Sequence, residues 1–200
     1  MQSKKRPIPW ETRLGYDAFV IGLFALALIA GIVLKGWVVG KTTTFTTKDS
    51  TLSLSYPAAW AAQARKGTLL SLRDLQSEGI FKTTFSVEAT ELDPAAVEPV
   101  QELVQPFTED KGQALSAYRI LEISDCEMDG LDAVRISYAY VEEPLESPFQ
   151  TSLPVVVQGV DVLVMHGSRL YVLTFSAPAT SFSQQAEAME SILDSVDLGE

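Results

Sequence analysis

Apolar residues follow three successive rhythms along this chain. From Ala18 to Val39 they run almost unbroken, AFVIGLFALALIAGIVLKGWVV, with no charge before Lys35. From Thr42 to Ser176 many of them alternate with polar residues. From Phe182 onward they recur every three or four positions. These rhythms predict a helix long enough for a bilayer, then a set of β-strands, then an amphipathic helix.

At about 1.5 Å of rise per residue, the first run matches a hydrocarbon core of roughly 30 Å. Lys35 is placed to snorkel toward headgroups, and Tyr16 and Trp37 suit the two interfaces. Lys4, Lys5, Arg6 and Arg13 precede the run, whereas Lys35, Lys41 and Lys48 end or follow it, which places the N-terminus in the cytoplasm. A cleaved signal peptide would have a shorter apolar region closed by a small-x-small site; Lys-Gly-Trp-Val-Val-Gly-Lys stands here instead. The expected organisation is a cytoplasmic tail at 1–17, a transmembrane signal anchor in contact with lipid at 18–39, a tether and first strand at 40–50, and an extracytoplasmic domain at 51–198.

Within that domain, a threonine-rich segment, a Lys-Asp-Ser turn and the alternation of Leu52, Leu54 and Tyr56 predict a hairpin ended by Pro57. Ala58–Lys66 reads as an irregular or helical turn. Thr68–Leu72 and Lys82–Glu91 read as strands, with Phe85, Val87 and Ala89 on one face. Asp93-Pro94 has the form of a helix start, and Val97, Val100, Val104 and Phe107 keep helical spacing. Pro99 and Pro106 would each break an interior hydrogen bond, which predicts that this helix is short, kinked or restarted at Pro99. Leu115–Asp125 and Leu131–Glu142 form a hairpin around Met-Asp-Gly, with Val134, Ile136, Tyr138 and Tyr140 pointing one way. Val155–Met165 and Leu170–Ser176 are apolar on both faces, which predicts strands covered on both sides. Ser181 and Gln184 fit a capping box, and Phe182, Ala186, Met189, Leu193 and Val196 trace the stripe of a last helix. The fold class expected is α+β: a transmembrane helix followed by an antiparallel sheet sandwiched by helices.

Charge sharpens the division. Residues 1–41 hold six Lys/Arg and two acids, a net +4, while residues 42–200 hold nine Lys/Arg and 24 acids, a net −15. So acidic a domain is repelled by phosphate backbones and by anionic lipid, so nucleic acid is not expected as a partner, and the charge also serves to keep the domain in solution. Cys126 is the only cysteine, which rules out an internal disulfide and CxxC chemistry.

Candidate chemistry is sparse. Asp125, Glu127, Asp129 and Asp132, followed or split by Gly130, resemble the opening of a calcium loop, and they are the candidate ligands for calcium or manganese. The position where such a loop needs a bidentate Glu is Ile136, so an Asp-Gly hairpin turn explains the same residues. His166 and Ser168 are the sole pair from which a hydrolase could be built, and a tight turn does not aim two neighbours at one substrate. Cys126 is surrounded by acids, which disfavour a thiolate. The glycines form no Walker or dinucleotide pattern, so no nucleotide cofactor is expected. Glu142, Glu143 and Glu146 form an acidic loop, and Trp60, Tyr56 and Phe149 are either core or a partner-facing aromatic patch.

Two stretches together resemble a known superfamily. LSLSYPAAW at 52–60 and SRLYVLTFSAPATSFSQQAEAMESILDSVDL at 168–198 are similar to the PsbP-like proteins, which include the photosystem II extrinsic protein, DcrB-like bacterial envelope proteins and a Ran-binding nuclear protein. The resemblance implies an α/β/α antiparallel fold over about residues 42–198; the apolar run ahead of it, where photosystem members carry a cleaved targeting peptide, marks this chain as a membrane-anchored bacterial-type member. The resemblance implies no shared active site and carries no functional residue onto this chain. The expected function is therefore that of a non-catalytic, membrane-anchored accessory subunit that contacts a membrane or envelope protein. The alternative is a cation- or ligand-binding module using the 125–132 acids.

Overall fold

The computed structural model describes residues 41–93, 98–143 and 153–199, together with Ile21, Leu23 and Phe24. The chain divides into two units, Met1–Lys41 and Thr42–Glu200. In the first, Ile21, Leu23 and Phe24 are helical and exposed. The rest of the expected anchor at 18–39 lies outside the described residues, and no described helix is long and apolar enough to cross a membrane.

The second unit opens with β1 (Thr42–Thr46) and β2 (Ser53–Pro57), an antiparallel pair forming a sheet of its own. Their turn is organised by Asp49, whose carboxylate accepts from the Thr51 hydroxyl at 2.9 Å. The hydroxyls of Thr47 and Thr51 hold that carboxyl well below the usual carboxylate range. Then come β3 (Ala61–Ala62), β4 (Leu70–Arg73), β5 (Thr84–Glu91), α1 (Val100–Ala114), β6 (Arg119–Met128), β7 (Leu131–Glu142), β8 (Val155–His166), β9 (Arg169–Pro178) and α2 (Phe182–Leu193). β3 to β9 make one seven-stranded sheet in the order β3-β4-β5-β9-β8-β7-β6, antiparallel at every pairing. The connection from β5 to β6 must therefore cross β9, β8 and β7, and α1 lies in it. That crossing puts α1 over one face of the sheet.

Strand alternation then separates two cores. On the α1 face, Val134, Ile136, Tyr138, Leu163 and Val157 pack with Val100, Val104 and Phe107 of the helix. On the opposite face, Phe85, Val87, Val160, Val162, Val164, Leu173 and Phe175 meet α2 and the β1–β2 hairpin. Trp60 belongs to this second core, 7% exposed and stacked on Phe175 at 6.4 Å, so it is core and not a partner-facing aromatic.

The last helix begins at the expected place, but its capping box does not form. Ser181 makes no side-chain cap, and its hydroxyl donates to the Pro178 carbonyl at 3.4 Å. A cap is worth about 1 kcal/mol, whereas each large apolar side chain buried contributes roughly 1.5–3 kcal/mol. Met189, Ile192 and Val196 are all buried here, so packing decides the helix.

The earlier helix begins where a restart at Pro99 was expected, and it runs on through Pro106 without breaking. Its described part starts after Pro99 and runs to Ala114, with Pro106 inside it. Residues 94–97, where Asp93-Pro94 was expected to start it, lie outside the described residues. Pro106 removes one interior hydrogen bond, yet the helix continues because Phe107 and Lys111 fasten its second half to the sheet. Ala61–Ala62, expected as an irregular turn, is a short edge strand instead, paired with Leu72 and Arg73.

Candidate functional site

The β6–β7 turn is a two-residue hairpin. Asp129 and Gly130 take φ of 50° and 74°, the pair of left-handed residues that the strand twist favours and that Asp-Gly supplies. Pairing places Glu127 opposite Asp132 and Asp125 opposite Val134, so these three acids share the α1-side face of the sheet. Asp129 sits at the tip, and its Oδ2 accepts the Leu198 N–H at 2.8 Å. All four candidate ligands are exposed. Ile136, the twelfth position of the supposed loop, is fully buried in the core. Among the described residues no group of three or more His, Cys, Asp or Glu is placed to hold a metal ion.

Behind this hairpin, a cleft of about 360 Å³ opens toward the C-terminal end of α2. Val162 and Met128 line it alongside Glu127, Asp129, Glu190 and Asp194, and Arg135 is ion-paired with Glu190. Cys126 also lines it. Burial pushes the Cys126 thiol up; Arg135 opposes this, while Asp125 and Glu190 add to it. The group is a thiol at neutral pH, not an activated nucleophile.

The strongest electrostatic feature of the domain is one the sequence reading passed over. Asp161 points from β8 toward α1, with a side chain that is 0% exposed. The Lys111 ammonium reaches down from the helix to its Oδ2 at 2.6 Å. Thr174 donates to Oδ1 at 2.7 Å and Tyr138 at 3.3 Å, while Lys111 also donates to the Tyr138 hydroxyl oxygen at 2.8 Å. Lys111 lies 4.5 Å from the Tyr138 ring centre and 5.3 Å from that of Phe107. Burial pushes the Asp161 carboxyl up, with Lys111 first among the groups pulling it back. The signal was available: Asp161 is the one charged residue in VVVQGVDVLVM, at a position whose neighbours two away on either side face the core. With Asp161 enclosed and Lys111 reaching it from the helix, the cluster holds α1 to the sheet.

The same enclosure raises three tyrosines. Burial lifts Tyr118 and Tyr140 to about 12, and Tyr138 further, with the Asp161 charge adding to the rise at Tyr118 and Tyr138. A raised folded-state pKa adds stability that is complete below the unfolded value near 10 and is lost as pH climbs toward 12. Tyrosinate absorbance should therefore rise in two stages on alkaline titration, the second coinciding with loss of circular dichroism. A single stage near pH 10 with the fold intact would contradict the burial.

The remaining candidates are separated by the fold. His166 ends β8 and pairs across the turn with Arg169. The Ser168 hydroxyl donates to Glu91 at 3.4 Å, not to His166. Glu146 and Phe149 lie outside the described residues. 

No family model matches the chain, and no curated protein matches it. Solved structures do. The solution structure of cyanobacterial PsbP (CyanoP) from Synechocystis sp. PCC 6803 is similar with a TM-score of 0.59 at 12% identity, covering 80% of this chain and 94% of that one. The Saccharomyces cerevisiae Ran-binding protein Mog1p gives 0.53 at 10% identity, over 79% and 95%. LpqN, involved in cell envelope biogenesis of Mycobacterium tuberculosis, gives 0.51 at 13% identity, over 80% and 91%. At such identities the likeness is one of architecture: an antiparallel sheet with two helices, shared with CyanoP, Mog1p and LpqN.

Proposed function

We propose that this protein is a membrane-anchored, non-catalytic accessory subunit whose domain at 51–198 sits outside the cell membrane and binds a protein of a membrane or envelope complex. The observation that carries the reading is the fold shared with CyanoP, Mog1p and LpqN, one of which is named for binding a protein and another for a role in envelope biogenesis. The uncharged apolar run ahead of the domain supports the anchor, and the −15 charge of residues 42–200 supports a partner other than nucleic acid. Tethering raises the local concentration of the domain beside a membrane partner, so a modest contact suffices.

Extraction in mild detergent after cross-linking of intact membranes tests this. The expected result is a defined complex containing the chain and a second protein. Recovery as a lone monomer across several detergents would overturn it.

A further inference from the structure

Among the described residues β6 is the last strand of the sheet, with β7 on one side and no strand on the other. It is ten residues long, whereas the opposite edge strand, β3, has two. Most of its residues are exposed, including Ile120 at 39%, Leu121 at 52% and Ile123 at 48%. A long edge with an apolar patch is a template for another strand. Among the described residues, α1 packs chiefly on β7 and β8, inward of this margin.

The charges on the edge say which strand fits. The pairing with β7 puts Ile120, Ile123, Asp125 and Glu127 on the α1-side face and Glu122 on the other, with a bulge at Leu121. Glu122, Asp125 and Glu127 are exposed, and no ion pair among the described residues engages them. Bulges and charges on an edge deter copies from pairing with one another. Here they set acid against acid in a domain that is already strongly negative. They leave a basic strand attracted.

We propose that β6 is a docking edge for an extended, basic polypeptide segment that adds to the sheet as an eighth strand. Its backbone would bond to the open side of β6. Alternate side chains would place an apolar residue against Ile123 and Lys or Arg against Asp125 and Glu127, the pattern by which strand addition gains specificity. The inference rests on the interaction role proposed above. A measurement with isolated peptides separates the two, because the edge can fail to bind a peptide while the chain still co-purifies with a protein by another surface.

The full chain in mild detergent is titrated at about millimolar concentration with the peptides Lys-Thr-Lys-Thr-Ile-Thr-Ile and Glu-Thr-Glu-Thr-Ile-Thr-Ile, while amide hydrogen exchange is followed. A third peptide keeps the charge of the first but has Pro at alternate positions, so it cannot form a strand. The basic peptide is expected to bind about tenfold tighter than the acidic one and to slow exchange along 119–128. The Asp125→Lys, Glu127→Lys double variant, altered only at exposed positions, should reverse the preference. Equal binding of the Pro peptide, equal affinity for both charges, no binding of any peptide, or protection elsewhere would overturn the proposal. So would protection of 119–128 that grows with protein concentration in the absence of peptide, which would make a second copy the occupant.

Discussion

Replacing Lys111 with Met is expected to destabilise the domain by about 3–5 kcal/mol, because it strands a charge where water cannot reach it. Asp161 has no exposed surface, and two hydroxyls are all that remain to it once the ammonium has gone. The partner substitution is not its mirror image. Lys111 keeps 21% of its side chain exposed, so in an Asp161→Asn variant it can swing its ammonium into solvent. Asp161→Asn should therefore cost less than Lys111→Met, and the double variant less than Lys111→Met alone. The pH dependence has a definite sign. The Asp161 carboxyl is already raised by burial, and loss of the cation raises it further. A raised folded-state pKa means that stability is lost as pH climbs through it. The deficit of Lys111→Met should then be smallest in acid and grow toward neutrality. Urea melts at several pH values measure all of this, and equal costs for the two single variants would show that the pair is not buried as described.

Gly159→Ala is expected to cost about 3 kcal/mol or more, an overpacking effect at the upper end of its usual range. Gly159 lies directly across from Tyr138 in the β7–β8 pairing. A Cβ there would fall within 3 Å of the Tyr138 ring and hydroxyl. The ring cannot step aside: its hydroxyl is held by Lys111 and Asp161, and Tyr118 and Tyr140 pack against it at 5.2 and 6.2 Å between centres. Combining Gly159→Ala with Tyr138→Val should be far less destabilising than the sum of the two, since the second change removes the clash. Additive costs would place the strain elsewhere.

These two sites show what a linear reading reaches. Hairpins were legible because their signals are local: Asp129-Gly130 and Gly167 each supply the positive φ that a two-residue link needs. The two-faced apolar character of β8 correctly foretold a strand covered on both sides. The face assignments of Val134, Ile136, Tyr138 and Tyr140 hold for the same reason, since alternation is a property of neighbours. The Lys111–Asp161 pair joins residues 50 apart, and Lys111 lies beyond Phe107, where the proline-interrupted pattern had run out. Gly159 carries no local signal, because its need arises from the Tyr138 ring on another strand. The acids at 125–132 have ligand-like spacing along the chain. Pairing shows three of them on one sheet face and Asp129 engaged by Leu198.

Consider finally how the two ends of the domain meet. Ser53, in the first hairpin, exchanges both backbone hydrogen bonds with Asp197, and Ser195 bonds to both backbone groups of Ser55. The middle strand of the sheet, β9, is also among the last made. The sheet therefore cannot close until β9 and residues 195–197 have been made. If the domain is threaded across a membrane as it is synthesised, it crosses as a loose polypeptide and closes only on the far side, with its earliest residues waiting for its latest.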